Sequence, residues 1–371
     1  MSQPRYFLLL LAFCWFQAKA QQGILQFVFT SDCHYGITRT HFRGADSVPS
    51  NIVNEAMISA INQLPSQVLP SDSGVDAGLR VGAIDAILIT GDIANREEKG
   101  IQSAAASWQQ FQADYGHLIT TKDGKGAPSP LWLNAGNHDV SNAIGFWKPT
   151  IPATDASSLA GMYNMMMHPA QPRTAFDYNY SRDVVHFSKD IGGVHLVFLN
   201  LWPDSLEQQW MTQDLKGLKA GIPVLLFTHS MPSVEARFFT NPNDNHSINN
   251  TDKFENLLPE TFRDGLTIKD SAVIEQKGFV DFLRRHPEIK AYFHGHENYT
   301  EYYTWHSLPC FRVDSPMKGK FSSKNETRLS FLLVSIDTRT KIMTVRECLW
   351  NTVPGNPSVL IWGQGTTMTL Q

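Results

Sequence analysis

Cysteine is scarce: the 371-residue chain carries four, at positions 14, 33, 310 and 348. No thiolate ligand set is apparent, which argues against a structural cysteine–zinc site. Basic runs and Arg–aromatic interleaving are absent and the formal net charge is −4, so nothing marks a nucleic-acid surface. Repeats and low-complexity tracts are missing, and nothing fixes an oligomeric state. Long apolar runs are confined to the start. There, Arg5 precedes "FLLLLAFCWF" (7–16) and the small-x-small triplet "AKA" (18–20). An apolar core of about ten residues is too short to span a bilayer and reads as a secretory signal. The expectation is a signal peptide over 1–20, cut before Gln21, no transmembrane segment thereafter, and a secreted or periplasmic (extracytoplasmic) location.

Cleavage removes Cys14 and leaves Cys33, Cys310 and Cys348, an odd number that implies at least one free thiol. Cys310 and Cys348 are the candidates for a disulfide. Five Asn-x-Ser/Thr sequons, at Asn179, Asn245, Asn249, Asn298 and Asn325, matter if the host glycosylates.

What is present is an ordinary globular composition, 42% hydrophobic, enough to bury a sizeable core. Short continuous apolar runs suit strands buried on both faces: 24–30, 84–90, 131–135, 194–201, 223–228 and 289–294. Helical patterns separate them at 51–64, 100–115, 205–218 (with Ser205 as N-cap) and 272–286. From about 300 the pattern turns to successive antiparallel strands, at 301–313, 329–339, 341–350 and 358–363. A single domain over 21–371 is expected, with polar insertions near 141–180 and 233–270 that follow site motifs.

The ends of the buried runs carry the chemistry. The first ends in Asp32-Cys33-His34, the second in Gly91-Asp92, the third in Gly136-Asn137-His138-Asp139. Later runs end in His229 and in His294-Gly295-His296. Each fragment alone is commonplace. Five at the same end of the buried runs, all but one of which carry a fragment, are not, and in open α/β sheets that edge is where ligands bind.

This order resembles the calcineurin-like metallophosphoesterase superfamily, whose pattern is D-x-H, G-D, G-N-H-[DE], a lone H, then G-H-x-H. The resemblance spans roughly 24–297. It implies an α/β fold, a four-layer α-β-β-α sandwich of two mixed sheets flanked by helices, with the metal site at the C-terminal strand ends. It further implies that Asp32, His34 and His296 hold one metal ion and that Asn137, His229 and His294 hold another. Asp92 would bridge the two, and His138 would act on the phosphate as the catalytic group without ligating metal. Two departures stand out. "GDIAN" places Asn95 where the family often has a second Asp, and Phe293 precedes His294 where a Gly is usual. The presence of His34, and of Ile93-Ala94-Asn95 after Asp92, argues against the tyrosine-ligated site of purple acid phosphatases.

The residue types suit the task. Two cations about 3.5–4 Å apart neutralise a phosphoester and make water nucleophilic near neutral pH. Mixed N/O ligation suits Zn, Mn or Fe. The expected function is an exported phosphoesterase, phosphatase or phosphodiesterase, attacking its substrate with a metal-bound hydroxide. Two rivals stay open: a non-catalytic metal-binding scaffold of the same fold, and a sphingomyelinase-like lipid phosphodiesterase. Candidate substrate contacts are Arg39, His41 and Arg43 just past the first ligands, Asn243, Asp244 and His246 in the second insertion, and Trp202.

Overall fold

The computed structural model describes residues 23–94, 102–140, 156–179, 182–233, 268–353, 356 and 359–371. The signal segment, Asn95, and Asn243, Asp244 and His246 lie outside them, as does most of the second insertion.

The first strand, β1 (Ile24–Thr30), is the hub of one six-stranded sheet. It pairs in parallel with β4 (Ala86–Thr90), which pairs in parallel with β5 (Leu131–Asn134). On its other side β1 runs antiparallel to β12 (Ser330–Asp337), followed by β13 (Ile342–Leu349) and β14 (Ile361–Thr369). The second six-stranded sheet orders β10 (Glu301–Trp305), β11 (Leu308–Arg312), β9 (Ile289–His294), β8 (Val224–Phe227), β7 (Val194–Phe198) and β6 (Phe187–Ile191). Within it β7, β8, β9 and β11 are mutually parallel in that spatial series. The C-terminal strands are therefore not one antiparallel set. The hairpin β10–β11 joins the second sheet and β12–β14 extend the first.

The sheets meet through phenyl rings. Phe187, Phe198, Phe227, Phe293 and Phe311 stack in one row across the second sheet, neighbouring centroids 4.5–5.0 Å apart. They are register partners on successive strands, so they share one face. Phe27 and Phe29 of β1 meet Phe227 and Phe293 edge-on at 5.3–6.3 Å. Such pairs add roughly 0.5–1.5 kcal/mol each beyond area burial. Phe293 is thus a core ring in this ladder.

Helices cover the outer faces. α1 (Ser50–Gln63) lies over the first sheet, where the Thr30 hydroxyl reaches the Met57 sulfur. It packs on α2 (Ala104–His117), whose Ser103 cap accepts from the Ala106 N–H. A one-turn helix, α3 (Asn137–Val140), follows β5, and α4 (Ser157–Met167) packs on α2. α4 falls in the first insertion, where a polar loop was expected. Over the second sheet lie α5 (Ser205–Leu215) and α6 (Ile268–Arg285), Phe279 packing on Tyr292. The cap of α5 is Asp204, which accepts from the Leu206 and Glu207 N–H groups, one residue before the expected Ser205. No helix among the described residues is long and apolar enough to cross a membrane.

The stretch just past His34 forms a hairpin, β2 (Thr38–Phe42) with β3 (Ala45–Pro49). Cys33, Cys310 and Cys348 are buried free thiols. The expected candidates for a bridge, Cys310 and Cys348, sit on β11 and β13 in different sheets.

Arg346 of β13 is buried, and its guanidinium donates to both carboxylate oxygens of Asp72 at 2.7 and 2.8 Å. Those hydrogen bonds first, and the charge, draw the Asp72 pKa down to about 2. A depressed carboxylate contributes stability above its unfolded value, near 3.9, and loses it as pH falls through the folded value. Asp72→Ala should cost about 1–3 kcal/mol at pH 7, less than a fully buried pair because Asp72 stays partly wet. Urea unfolding would show the gap between wild type and variant closing as pH falls through about 2. A gap unchanged at that pH would contradict the ion pair as its source.

Candidate metal centre

Parallel strands bring their C-terminal ends to one edge. Beyond that edge the two sheets are tied together by buried polar bonds. The Asn134 amide donates to the Leu199 and Phe227 carbonyls, and His229 Nδ1 donates to the Thr90 carbonyl at 2.7 Å. Ser31 Oγ donates to the same Thr90 oxygen. The loop after β1 runs alongside the loop after β4 through Asp32 N–Gly91 O, His34 N–Asp92 O and Tyr35 N–Ile93 O bonds. These contacts hold Asp32, His34 and Asp92 at positive φ (56°, 43° and 48°), and His296 and Asn298 likewise (68° and 56°). Such conformations cost about 1–3 kcal/mol each and persist where the surroundings over-determine them.

Asp92 stands at the middle. One carboxylate oxygen, Oδ2, lies 3.4 Å from His229 Nε2, 3.7 Å from His34 Nε2 and 4.0 Å from His138 Nε2. Its other oxygen accepts the His138 backbone N–H at 2.8 Å. Asp32 Oδ1 lies 3.7 Å from His34 Nε2. On the opposite side Asn137 Oδ1 is 2.9 Å from His229 Nε2 and 3.0 Å from His296 Nδ1. His34, Asp92 and His138, and separately Asp32, Asp92 and His229, each cluster closely enough to hold an ion.

A family model described as calcineurin-like phosphoesterase matches residues 25–299, most of the chain. The chain belongs to that family. No curated protein matches it. Among solved structures it is similar to a dimetal phosphatase from Danio rerio, with 10% identity and a TM-score of 0.51, covering 94% of this chain and 99% of that one. At that identity the likeness speaks for the fold. It is also similar to the anchor in the inner membrane complex of Plasmodium, with 10% identity and a TM-score of 0.41, covering 91% of this chain and 88% of that one. A putative 5'-nucleotidase from Staphylococcus aureus follows, with 13% identity and a TM-score of 0.40, covering 84% of this chain and 51% of that one.

Two residues of this calcineurin-like phosphoesterase are placed otherwise than expected. His294, expected to hold the second metal, turns away from the centre. Its Nδ1 donates to the Gly295 carbonyl at 3.0 Å and its Nε2 accepts from the Tyr303 hydroxyl at 2.8 Å, so both ring nitrogens are in use. His296, expected beside Asp32 and His34, instead joins Asn137 and His229. In this arrangement the family pattern G-H-x-H would start at Gly295, not before His294. A Cβ at Gly295 would fall 2.1 Å from Ser31 Oγ and 2.2 Å from Asp32 Oδ2, so the close approach demands glycine. Read in this register, Asn298 stands in the place of the last histidine. Its amide donates to the His296 carbonyl, and its Oδ1 is buried and unpartnered. The signal for Asn298 was in the sequence, hidden by the His-Gly-His triplet.

The expected substrate contacts fare differently. Arg39 is buried, and its guanidinium donates to the carbonyls of His41, Pro316 and Ser322. It holds protein backbone and is not presented to a substrate. His41 is exposed on the hairpin and pairs with Asp46. Arg43 donates to Asn351, and Trp202 is buried with its indole N–H on the Met231 carbonyl.

The electrostatics describe a site short of positive charge. Burial, then the neighbouring Asp92, pushes Asp139 up to about 7 although three backbone N–H groups donate to it. Burial likewise lifts Asp32 to about 6. Burial works against the Asp92 carboxylate too, but His229, His138 and His34 hold it well below the usual range. His229 is carried up to about 9, Asp92 overcoming the burial. His34, His138 and His296 are pushed down, first by burial; for His34 and His138 the Lys318 ammonium comes next, for His296 the charge on His229.

Whether metal fits can be tested on the donors themselves. Asp32 Oδ1, both ring nitrogens of His34 and Asn298 Oδ1 are buried without a hydrogen-bond partner. Orphaned buried acceptors are rare without an ion or water to meet them. His229 donates through Nδ1 to a backbone carbonyl, the arrangement that leaves Nε2 for a cation. The set is nitrogen and oxygen throughout. The residues fit borderline or hard cations.

Proposed function

We propose that this protein is an exported phosphoester hydrolase that works with two cations. Asp32, His34, Asp92 and Asn298 would hold one, and Asp92, Asn137, His229 and His296 the other. The observation that carries the reading is the single Asp92 oxygen facing His34 on one side and His229 on the other. Bound there, cations such as Zn, Mn or Fe would neutralise phosphoryl charge and acidify water. The chain's own residues do the rest. Asp92 fixes the spacing of the two half-sites. Asn137 offers a neutral oxygen that limits negative charge. His138, anchored through its backbone N–H to Asp92, presents an imidazole edge beside His34, ring centroids 5.0 Å apart. It is placed to donate a hydrogen bond to a phosphoryl or leaving-group oxygen. Export rests on the 1–20 segment, and protein recovered from the medium should begin at Gln21.

Metal analysis of purified protein, with turnover of p-nitrophenyl and bis-p-nitrophenyl phosphate after chelation and add-back, tests the reading. Two ions and restored turnover are expected. Two ions without turnover of either ester favour the scaffold. A sphingolipid cleaved far faster than both favours a lipid phosphodiesterase. The corrected register gives a sharper test. His296→Ala should weaken metal binding by at least about 10-fold, more than an outer-shell loss would. His294→Gln should keep both ions, because Gln can still meet the Tyr303 hydroxyl. Metal lost from His294→Gln but kept in His296→Ala would restore the original register.

A further inference from the structure

The loop joining β11 to β12 lies beyond the residues that the family model matches, yet it reaches the centre. Ser315 pins it there: its hydroxyl donates to the Asp32 carbonyl at 2.8 Å and accepts the backbone N–H groups of Met317 and Lys318. Arg39 holds the loop from the other side through the Pro316 and Ser322 carbonyls, at 2.7 and 2.6 Å. Gly319 sits so close that a Cβ would fall 1.8 Å from Ser322 Oγ and 2.5 Å from Asp314 Oδ1. The loop is therefore rigidly built, and what it delivers is Lys318. The ammonium Nζ lies 3.5 Å from His138 Nε2. It is half-buried, beside a cluster that joins Asp32 and Asp92 to His34, His138 and His229.

We propose that Lys318 binds a terminal phosphoryl oxygen beside His138 and so selects phosphomonoesters over phosphodiesters. This rests on the phosphoesterase reading. The chemistry is one of charge count. A monoester presents a dianion with three unesterified oxygens, whereas a diester presents a monoanion with two. Two cations can satisfy the two oxygens common to both classes. A further fixed cation gains from the third, which a diester has capped with carbon. A lysine serves as a point charge and does not demand the planar bidentate geometry of arginine. His138 and Lys318 then flank one oxygen from two sides, the imidazole by hydrogen bond and the ammonium by charge.

The test compares Lys318→Met and Lys318→Arg with wild type. Orthophosphate binding to the metal-loaded proteins is followed by calorimetry, alongside kcat/KM for p-nitrophenyl and bis-p-nitrophenyl phosphate. In Lys318→Met, orthophosphate should bind about 10–100-fold more weakly, the range of a charge-assisted hydrogen bond. The monoester-to-diester ratio should fall by at least about 10-fold, with metal content held at two ions. Lys318→Arg should recover part of both. Unchanged orthophosphate affinity, or equal losses on both esters, overturns the proposal. If Lys318→Met does not fold, Lys318→Arg is compared with wild type for orthophosphate against dimethyl phosphate, and identical preferences in the two overturn it. Wild-type protein that binds metal but turns over neither ester defeats the phosphoesterase reading, and the orthophosphate comparison then judges Lys318 by itself.

Discussion

Asp92→Ala is expected to lose both cations together and to reduce phosphoester turnover by at least about 10³-fold. The reason is that one carboxylate would serve both proposed half-sites. Its Oδ2 faces His229 at 3.4 Å and His34 at 3.7 Å. Removing it leaves Asp32 and His34 without a shared counter-ligand, and His229 without the charge that raises its basicity. Each Lewis acid contributes several kcal/mol to a phosphoryl transition state, and about 1.4 kcal/mol is a factor of ten in rate. Alanine also frees the His138 N–H that Asp92 Oδ1 accepts, so the start of α3 loosens at the same time. Asp92→Asn separates these effects. The amide oxygen can keep the His138 bond while the charge disappears. Metal content by mass spectrometry after dialysis decides the matter: two tightly held ions in Asp92→Asn would show that charge at this position is not what binds them.

Much of this could be read before the fold was seen, and the gaps have physical causes. The strands 24–30, 86–90 and 289–294 are buried on both faces, so their sequences are continuous apolar runs that few other elements imitate. The hairpin at 38–49 was missed because only Arg39, Phe42 and Val48 of its strand residues are buried, a pattern that also suits a polar loop. Arg39 itself shows the limit of local reading. An arginine near metal ligands suggests phosphate, and only the fold reveals that its partners are carbonyls at 316 and 322. The His-Gly-His triplet failed for a different reason. Residues two apart share a face while the chain stays extended. Here β9 ends at His294, and His296 sits at φ 68° beyond a tight glycine, so the two imidazoles part company. Lys318 had no local signal at all, since its approach to His138 joins positions 180 residues apart.

His138→Ala should keep both ions and lose about 10²–10⁴ in rate, the usual contribution of a positioned acid or base. Geometry sets this residue apart from its neighbours. Its ring sits 4.0 Å from Asp92 Oδ2, farther than His229 or His34, and 3.5 Å from the Lys318 ammonium. A histidine that ligates metal avoids a cation at that range; one that meets an anionic oxygen gains from sharing it with a cation. His34, Asp92 and His138 nevertheless cluster tightly enough to hold an ion, so ligation is the rival explanation for any loss of activity. Two measurements separate them. Metal content should be unchanged in His138→Ala and reduced if His138 is a ligand. The loss should also depend on the leaving group. A p-nitrophenolate departs without a proton, whereas an alkoxide needs one. An alkyl phosphate should therefore suffer more than p-nitrophenyl phosphate if His138 delivers that proton. Equal losses on the two esters would confine His138 to holding a phosphoryl oxygen, and near-normal turnover of both would remove it from the reaction.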